Sequence, residues 1–144
     1  MTNTTAAARK QYASGRAEHV GSFLRSPEVK QARLDIAAGK INQAALKTIE
    51  DKAIIDLVEK QKAVGLTDIT DGETRRAWWH FDFMEHLLGA QGYERDEGIK
   101  FKGITTKPHA VRIVDRIAYN PDHPQFAHFT FLHDLLKGDA AHTA

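Results

Sequence analysis

Apolar positions along this chain change their period several times, and each change marks an element. Ala17 to Phe23 (AEHVGSF) is apolar at its centre and closed by Gly21-Ser22, the pattern of a short strand running into a tight turn. In SPEVKQARLDIAAG, Ser26 stands as N-cap, Pro27 at the first helical position, Glu28 in the first turn and Gly39 just past the end. These are helix start and stop signals, and Val29, Ala32, Arg33 and Ile36 share one face. Asn42 caps a second, longer helix that Gly65 ends. Its expected stripe is Leu46, Ile49, Ala53, Leu57 and Val64, with Glu50, Asp51, Lys52, Glu59 and Lys60 away from it. Leu66 to Thr70 then reads as the next strand. Strand, helix, helix, strand implies two parallel neighbours in an α/β sheet.

The second half is less regular. Ala77 to Leu88 is expected to be helical, with Phe81, Met84, Leu87 and Leu88 apolar and Gly89 as stop, and Gln91 to Gly98 is a polar loop. IKFKGITTKPHAVRIVDRIAY holds a weak and a better strand split by Lys107-Pro108, predicting an antiparallel hairpin. In the better one Val111, Ile113, Ile117 and Tyr119 alternate with Arg112 and Arg116, so one wet face is expected. Pro124 to Lys137 is a last helix carrying Phe126, Phe129, Leu132, Leu135 and Leu136, stopped by Gly138. Two parallel strands leave both sheet edges open and cover their faces poorly. The pattern is that of the opening part of something larger.

Bulk properties narrow the function classes. The chain has 144 residues, 42% hydrophobic and 27% charged, with a formal net charge of +1. That is ordinary for one soluble domain and offers no reason to expect a nucleic-acid or membrane partner. There is no cysteine, which excludes disulfides and thiolate metal ligands within the chain. No apolar run approaches the roughly 20 residues that span a bilayer. The acid-free, Thr/Ala-rich start is expected to be a flexible extension over residues 1–16, and the remainder, 17–144, one domain in a cytoplasmic protein. His123, His128 and His133 recur every five residues, a net turn of roughly 140° on a helix, and share no face. His80 and His86 fare no better, so no metal site is expected within the chain.

The stretch TDGETRRAWWHFDF places charges of both signs and two indoles directly after a strand signal. Together with AEHVGSFLRSPEVKQAR, the helix ending EKQKAVGL, KPHAVRIVDRI and FLHDLLKG, it resembles the cobalamin-independent methionine synthase family. The similarity is greater to the short single-barrel relatives called methyltetrahydropteroyltriglutamate–homocysteine methyltransferase-like. It covers nearly everything after about Gly15. The resemblance implies the first two strands of an incomplete (β/α)8 TIM barrel, with long crossover helices, a β-hairpin and a terminal helix. Such barrels take ~250 residues. The chain would therefore be a fragment or a truncated homologue, inactive alone.

The resemblance also implies roles. Gly21 and Ser22 match the family's Gly-Ser at the first strand end, which helps hold an amino acid's carboxylate; a glycine lets backbone N–H groups approach an anion and a serine adds a donor. Glu73 matches the glutamate that accepts a hydrogen bond from the substrate ammonium. His19 belongs to the HVGS form of the short relatives, as a substrate or Glu73 partner or as a hydrogen-bonded core histidine. Family zinc ligands (His, Cys, Cys and Glu) lie later in the barrel and are absent here. ITTKPH replaces the expected arginine-containing segment, so a folate methyl donor is not supported. Asp68 and Asp71 carry no assigned role. Arg75, Arg76, Trp78 and Trp79 read as loop packing before folate contacts.

The implied activity is methyl transfer to the thiol of homocysteine, the chain supplying the amino-acid-binding part. A zinc-dependent transferase acting on another thiol, such as a coenzyme M alkyl transferase, is the enzyme alternative. A non-catalytic module that self-associates through open sheet edges is the alternative from another class. Nucleic-acid binding through the arginines and indoles is disfavoured by the near-neutral charge.

Overall fold

In the computed structural model, residues 18–78, 80–106 and 108–144 are described. The expected extension, Trp79 and Lys107 lie outside them. The elements are α1 (Pro27–Ala37), α2 (Gln43–Ala63), α3 (Phe81–Met84), β1 (Leu88–Glu94), β2 (Lys100–Phe101), β3 (Ile104–Thr105), β4 (His109–Ala118) and α4 (Pro124–Leu135). This is a mixed α/β chain with four helices and short, separate sheets among the described residues, and no closed barrel. Two compact units divide it, residues up to Thr74 together with Leu132–Ala144, and Arg75–Phe131.

In the first unit the helices form where their signals lie. The Ser26 hydroxyl accepts from the Val29 N–H at 3.4 Å, and Asn42 Oδ1 accepts from the Ala45 N–H at 2.9 Å. Each thereby satisfies a donor that the first turn leaves open. The two helices pack together over a core of Val29, Ala32, Ile54, Val58 and Ile69, joined by Leu132 and Leu136. The buried face of α2 is not the expected one. It runs Glu50, Ile54, Val58, Gln61, one residue along from Ile49, Ala53 and Leu57, and Val64 is 77% exposed. The shift follows from two polar residues that bring partners inside. Glu50 meets Arg33 of α1 at 3.5 Å. The Gln61 amide accepts from the Thr70 N–H at 3.1 Å and donates to the Thr70 carbonyl at 2.8 Å, taking the place of a neighbouring strand. Buried polar groups that find such partners escape the desolvation penalty.

The predicted parallel pair is only sketched. Residues 18–23 form no regular strand; a single backbone bond, Phe23 N–H to the Gly72 carbonyl at 3.1 Å, joins them to the second segment. Residues 67–69 pair instead with Thr143, in parallel, through Ile69 N–H to Thr143 O at 2.8 Å and Thr143 N–H to Thr67 O at 3.0 Å. The turn at Gly21 ends extension of the first segment too early for a ladder to develop.

In the second unit the expected hairpin exists with a different partner. β4 pairs antiparallel with β1, from Leu88↔Ala118 to Glu94↔His109, with a bulge between Leu88 and Ala90. The weak strand folds on itself as β2–β3. The first half of the stretch read as polar loop, Gln91–Glu94, is therefore strand, because the long edge of β4 supplies ladder partners that LGAQGYE does not advertise by alternation. The helix expected over Ala77–Leu88 shrinks to α3, whose Asp82 carboxylate accepts from the Ala77 and Trp78 N–H groups at 2.7 and 2.9 Å. A covered face on β4 is not realised: Ile113 is 68% and Tyr119 70% exposed, since two strands alone cannot cover either side. α4 appears where predicted, two residues shorter at its end.

Candidate functional site

The candidate site lies in the first unit, where the turn after residues 18–20 meets the loop Asp71–Thr74. Ser22 Oγ donates to Glu73 Oε2 at 2.6 Å, within the range of charge-assisted O–H···O⁻ bonds. Ser22 is exposed and Glu73 half-buried, so the pair is open to a small solute. An ionised carboxylate offers about four lone-pair positions, so Glu73 can hold Ser22 and still accept from a cation. His19 is placed next to them, not on them. Its Nε2 donates to the Gly21 carbonyl at 2.9 Å, and its ring stacks on Phe23 with centroids 3.6 Å apart. Gly21 has φ +90° with open space around it. The structure thus brings Gly21, Ser22 and Glu73 together, while the hydrogen bond of His19 shapes the turn.

Glu73 sits at φ 52°, the one non-glycine residue with positive φ among those described. A left-handed conformation costs a residue with Cβ about 1–2 kcal/mol. Local bonds on its N-terminal side favour it: Asp71 Oδ1 accepts the Glu73 N–H at 2.9 Å, and the Asp71 carbonyl accepts the Thr74 N–H and hydroxyl. On the other side two arginines converge. Arg25 Nη2 donates to the Glu73 carbonyl at 2.9 Å and its Nε to the Thr74 carbonyl at 3.2 Å. Arg33 Nη2 donates to the Thr74 carbonyl at 2.7 Å. Gly72 has its Cβ position filled, since an added Cβ would lie 2.6 Å from Leu57 and 2.8 Å from Phe23.

Sequence reasoning singled out Ser22 and Glu73, which the structure joins by a hydrogen bond, and passed over the contacts that Arg25, Arg33 and Asp71 make with the same loop. One signal was present: Arg33 falls on the apolar face of α1, and a guanidinium there implies an acceptor waiting inside. Asp68, also without an assigned role, accepts the Thr143 hydroxyl at 3.0 Å. In the second unit Arg75 lies over the Phe131 ring at 5.0 Å, and Trp78 meets Phe81 edge-on at 5.6 Å, which is packing. A cleft of about 560 Å³ opens in the first unit beside Arg25 and Thr74; its lining does not include Ser22 or Glu73. Among the described residues no three His, Asp or Glu side chains are grouped to hold a metal. With no cysteine in the chain, these residues do not fit a zinc site.

No family model matches the chain. It is 46% identical over 125 residues to the uncharacterized protein YxjG of Bacillus subtilis, covering 87% of this chain and 32% of that protein. It is 33% identical over 70 residues to the 5-methyltetrahydropteroyltriglutamate–homocysteine methyltransferase of Buchnera aphidicola, covering 49% of this chain and 9% of that one. Among solved structures it matches a Listeria monocytogenes protein provisionally named a vitamin-B12 independent methionine synthase. That match has a TM-score of 0.71 and 41% identity, over 89% of this chain and 34% of the other. The chain spans about a third of the length of the curated relatives it matches over most of its own.

Proposed function

We propose, from the chain's kinship with the cobalamin-independent methionine synthase family, that it supplies the amino-acid-binding part of a methyltransferase site whose acceptor is the thiol of homocysteine. The observation that carries this is the Ser22–Glu73 pair at 2.6 Å. A hydroxyl beside a glycine turn and a carboxylate at the next segment's end stand within reach of one zwitterion. The α-ammonium of the acceptor bonds to Glu73 in place of the Ser22 hydroxyl, which turns from Glu73 to donate to the acceptor's carboxylate together with the backbone N–H at Gly21. This holds the thiol at a fixed distance from the anchor. In the transfer itself the acceptor sulfur forms a new S–CH3 bond as the donor's bond to that methyl breaks, its electron pair staying with the donor's leaving group, and the thiol proton passes to that group through solvent. Among the described residues no three His, Asp or Glu side chains are grouped to hold zinc, and the chain by itself is assigned binding only.

The architecture proposed with it is the opening of a (β/α)8 barrel. What supports this is the parallel contact of residues 67–69 with Thr143 and the bond from Phe23 to Gly72. Three successive segments then adjoin in chain order, with helices α1 and α2 between the first two.

Isothermal titration tests the anchor. A charge-assisted bond worth ~1.5–3 kcal/mol predicts that Glu73→Gln weakens L-homocysteine binding ~10–150-fold. Coenzyme M, a thiol without an ammonium group, should be indifferent to the change. Equal homocysteine affinity in wild type and variant would end this reading. Tight coenzyme M binding that ignores Glu73 would favour the transferase for another thiol.

A further inference from the structure

We propose that Arg25 and Arg33 are positioning residues for Glu73, a guanidinium clamp that keeps its backbone left-handed and so aims its carboxylate at Ser22. The inference rests on the reading of Glu73 as the ammonium anchor. Glutamate has no intrinsic preference for positive φ, unlike glycine, asparagine or aspartate. Yet here it adopts φ 52° directly after Gly72 at φ 61°. The bonds that favour this from the N-terminal side are local: Thr70 Oγ1 accepts the Gly72 N–H, and Asp71 Oδ1 the Glu73 N–H.

The carbonyl side is held from far away in sequence. Arg25, 48 residues before Glu73, uses Nη2 and Nε to engage two consecutive carbonyls. A planar guanidinium does this with two separate nitrogens whose donors are held in fixed, diverging directions, whereas an ammonium offers its donors from a single point. Arg33 shares the Thr74 carbonyl and is itself steadied by Glu50, whose side chain is 9% exposed. Thr74 is buried, so its carbonyl is costly to leave without donors. If the clamp opens, φ at residue 73 returns to negative values and the Cα–Cβ bond swings. The carboxylate then leaves the position 2.6 Å from Ser22.

Two readouts on the full chain test this. Scalar couplings and chemical shifts report φ at residue 73 without any ligand; Arg25→Ala should convert it from positive to negative or averaged. Titration should show L-homocysteine bound about 10-fold more weakly by Arg25→Ala. Binding of 4-mercaptobutanoate, the same thiol acid without its ammonium, should stay within about 2-fold, and Arg25→Ala/Glu73→Gln should bind no more weakly than Glu73→Gln alone. If Arg25→Ala does not fold, Arg25→Lys and Arg33→Gln replace it, each with about a 3-fold homocysteine effect. A positive φ retained in these variants overturns the clamp, whether or not homocysteine binds. So does an unchanged homocysteine affinity while Glu73→Gln weakens it. If Glu73→Gln binds like wild type, the anchor fails, and φ alone decides the clamp.

Discussion

The two compact units solve the problem of local order in opposite ways. Every buried apolar residue among those described (Val29, Ala32, Ile54, Val58, Ile69, Leu132, Leu136) belongs to the first unit. The second unit, Arg75–Phe131, is organised by backbone pairing, polar contacts and partly exposed aromatic contacts such as Trp78–Phe81 and Phe83–His123. The side chain buried there among the described residues is a histidine: His123, whose Nε2 donates to the Phe83 carbonyl at 3.0 Å and whose Nδ1 accepts the Gln125 N–H at 3.2 Å. Its hairpin leaves Ile113, Val114 and Tyr119 in solvent. The lesson is that an unusual backbone conformation is placed where packing and long-range hydrogen bonds over-determine it. The loop carrying Glu73 stands on a core, and the hairpin does not.

The comparison can be broken most directly in the core. Ile54→Ala should lower stability by about 2–5 kcal/mol, as a fully buried truncation leaves a cavity, whereas Ile113→Ala on the hairpin should stay within about 0.5 kcal/mol. Denaturant unfolding measures both, and similar losses would mean the hairpin is covered in solution. Next in size is Gly72→Ala. Its Cβ would meet Leu57 and Phe23 at 2.6 and 2.8 Å with φ at 61°, so a loss of about 2 kcal/mol is expected. A smaller effect of opposite sign is expected at the neighbouring position. Glu73→Gly should raise stability by up to about 1 kcal/mol by relieving left-handed strain, while homocysteine binding is lost; a clear fall in melting temperature would contradict stored strain there.

The smallest effect concerns the segment that brings Thr143 to residues 67–69. The hydrogen bond from His142, then the Ala141 N–H and Lys62, hold the Asp139 carboxyl down to about 2, below its ordinary 3.8. A depressed folded value means the stabilisation is present above about pH 4 and lost as pH falls towards 2. Wild type should therefore lose slightly more stability than Asp139→Asn between pH 5 and 2, measured by denaturant unfolding; parallel curves would remove the role.

Much of the first unit was legible because its signals are local. Ser26-Pro27, Asn42, Gly39 and Gly65 bound the helices through capping chemistry that acts within one turn, and α4 was readable from Pro124 and its apolar spacing. Glu73 and Ser22 were singled out by resemblance to a family, not by any pattern in the residues themselves. Three things depended on distance in space. The burial of Glu50 and Gln61 followed from partners that hydropathy does not encode. The choice of Leu88–Glu94 as the mate of β4 followed from an available edge, since alternation in LGAQGYE is weak. The clamp by Arg25 and Arg33 required carbonyls that only folding brings near. Sequence by itself thus determined where helices begin and end, because those free energies are spent within a few residues. Tertiary structure alone decided which polar groups go inside and how Glu73 is held, because a buried donor is tolerable only once its acceptor has arrived.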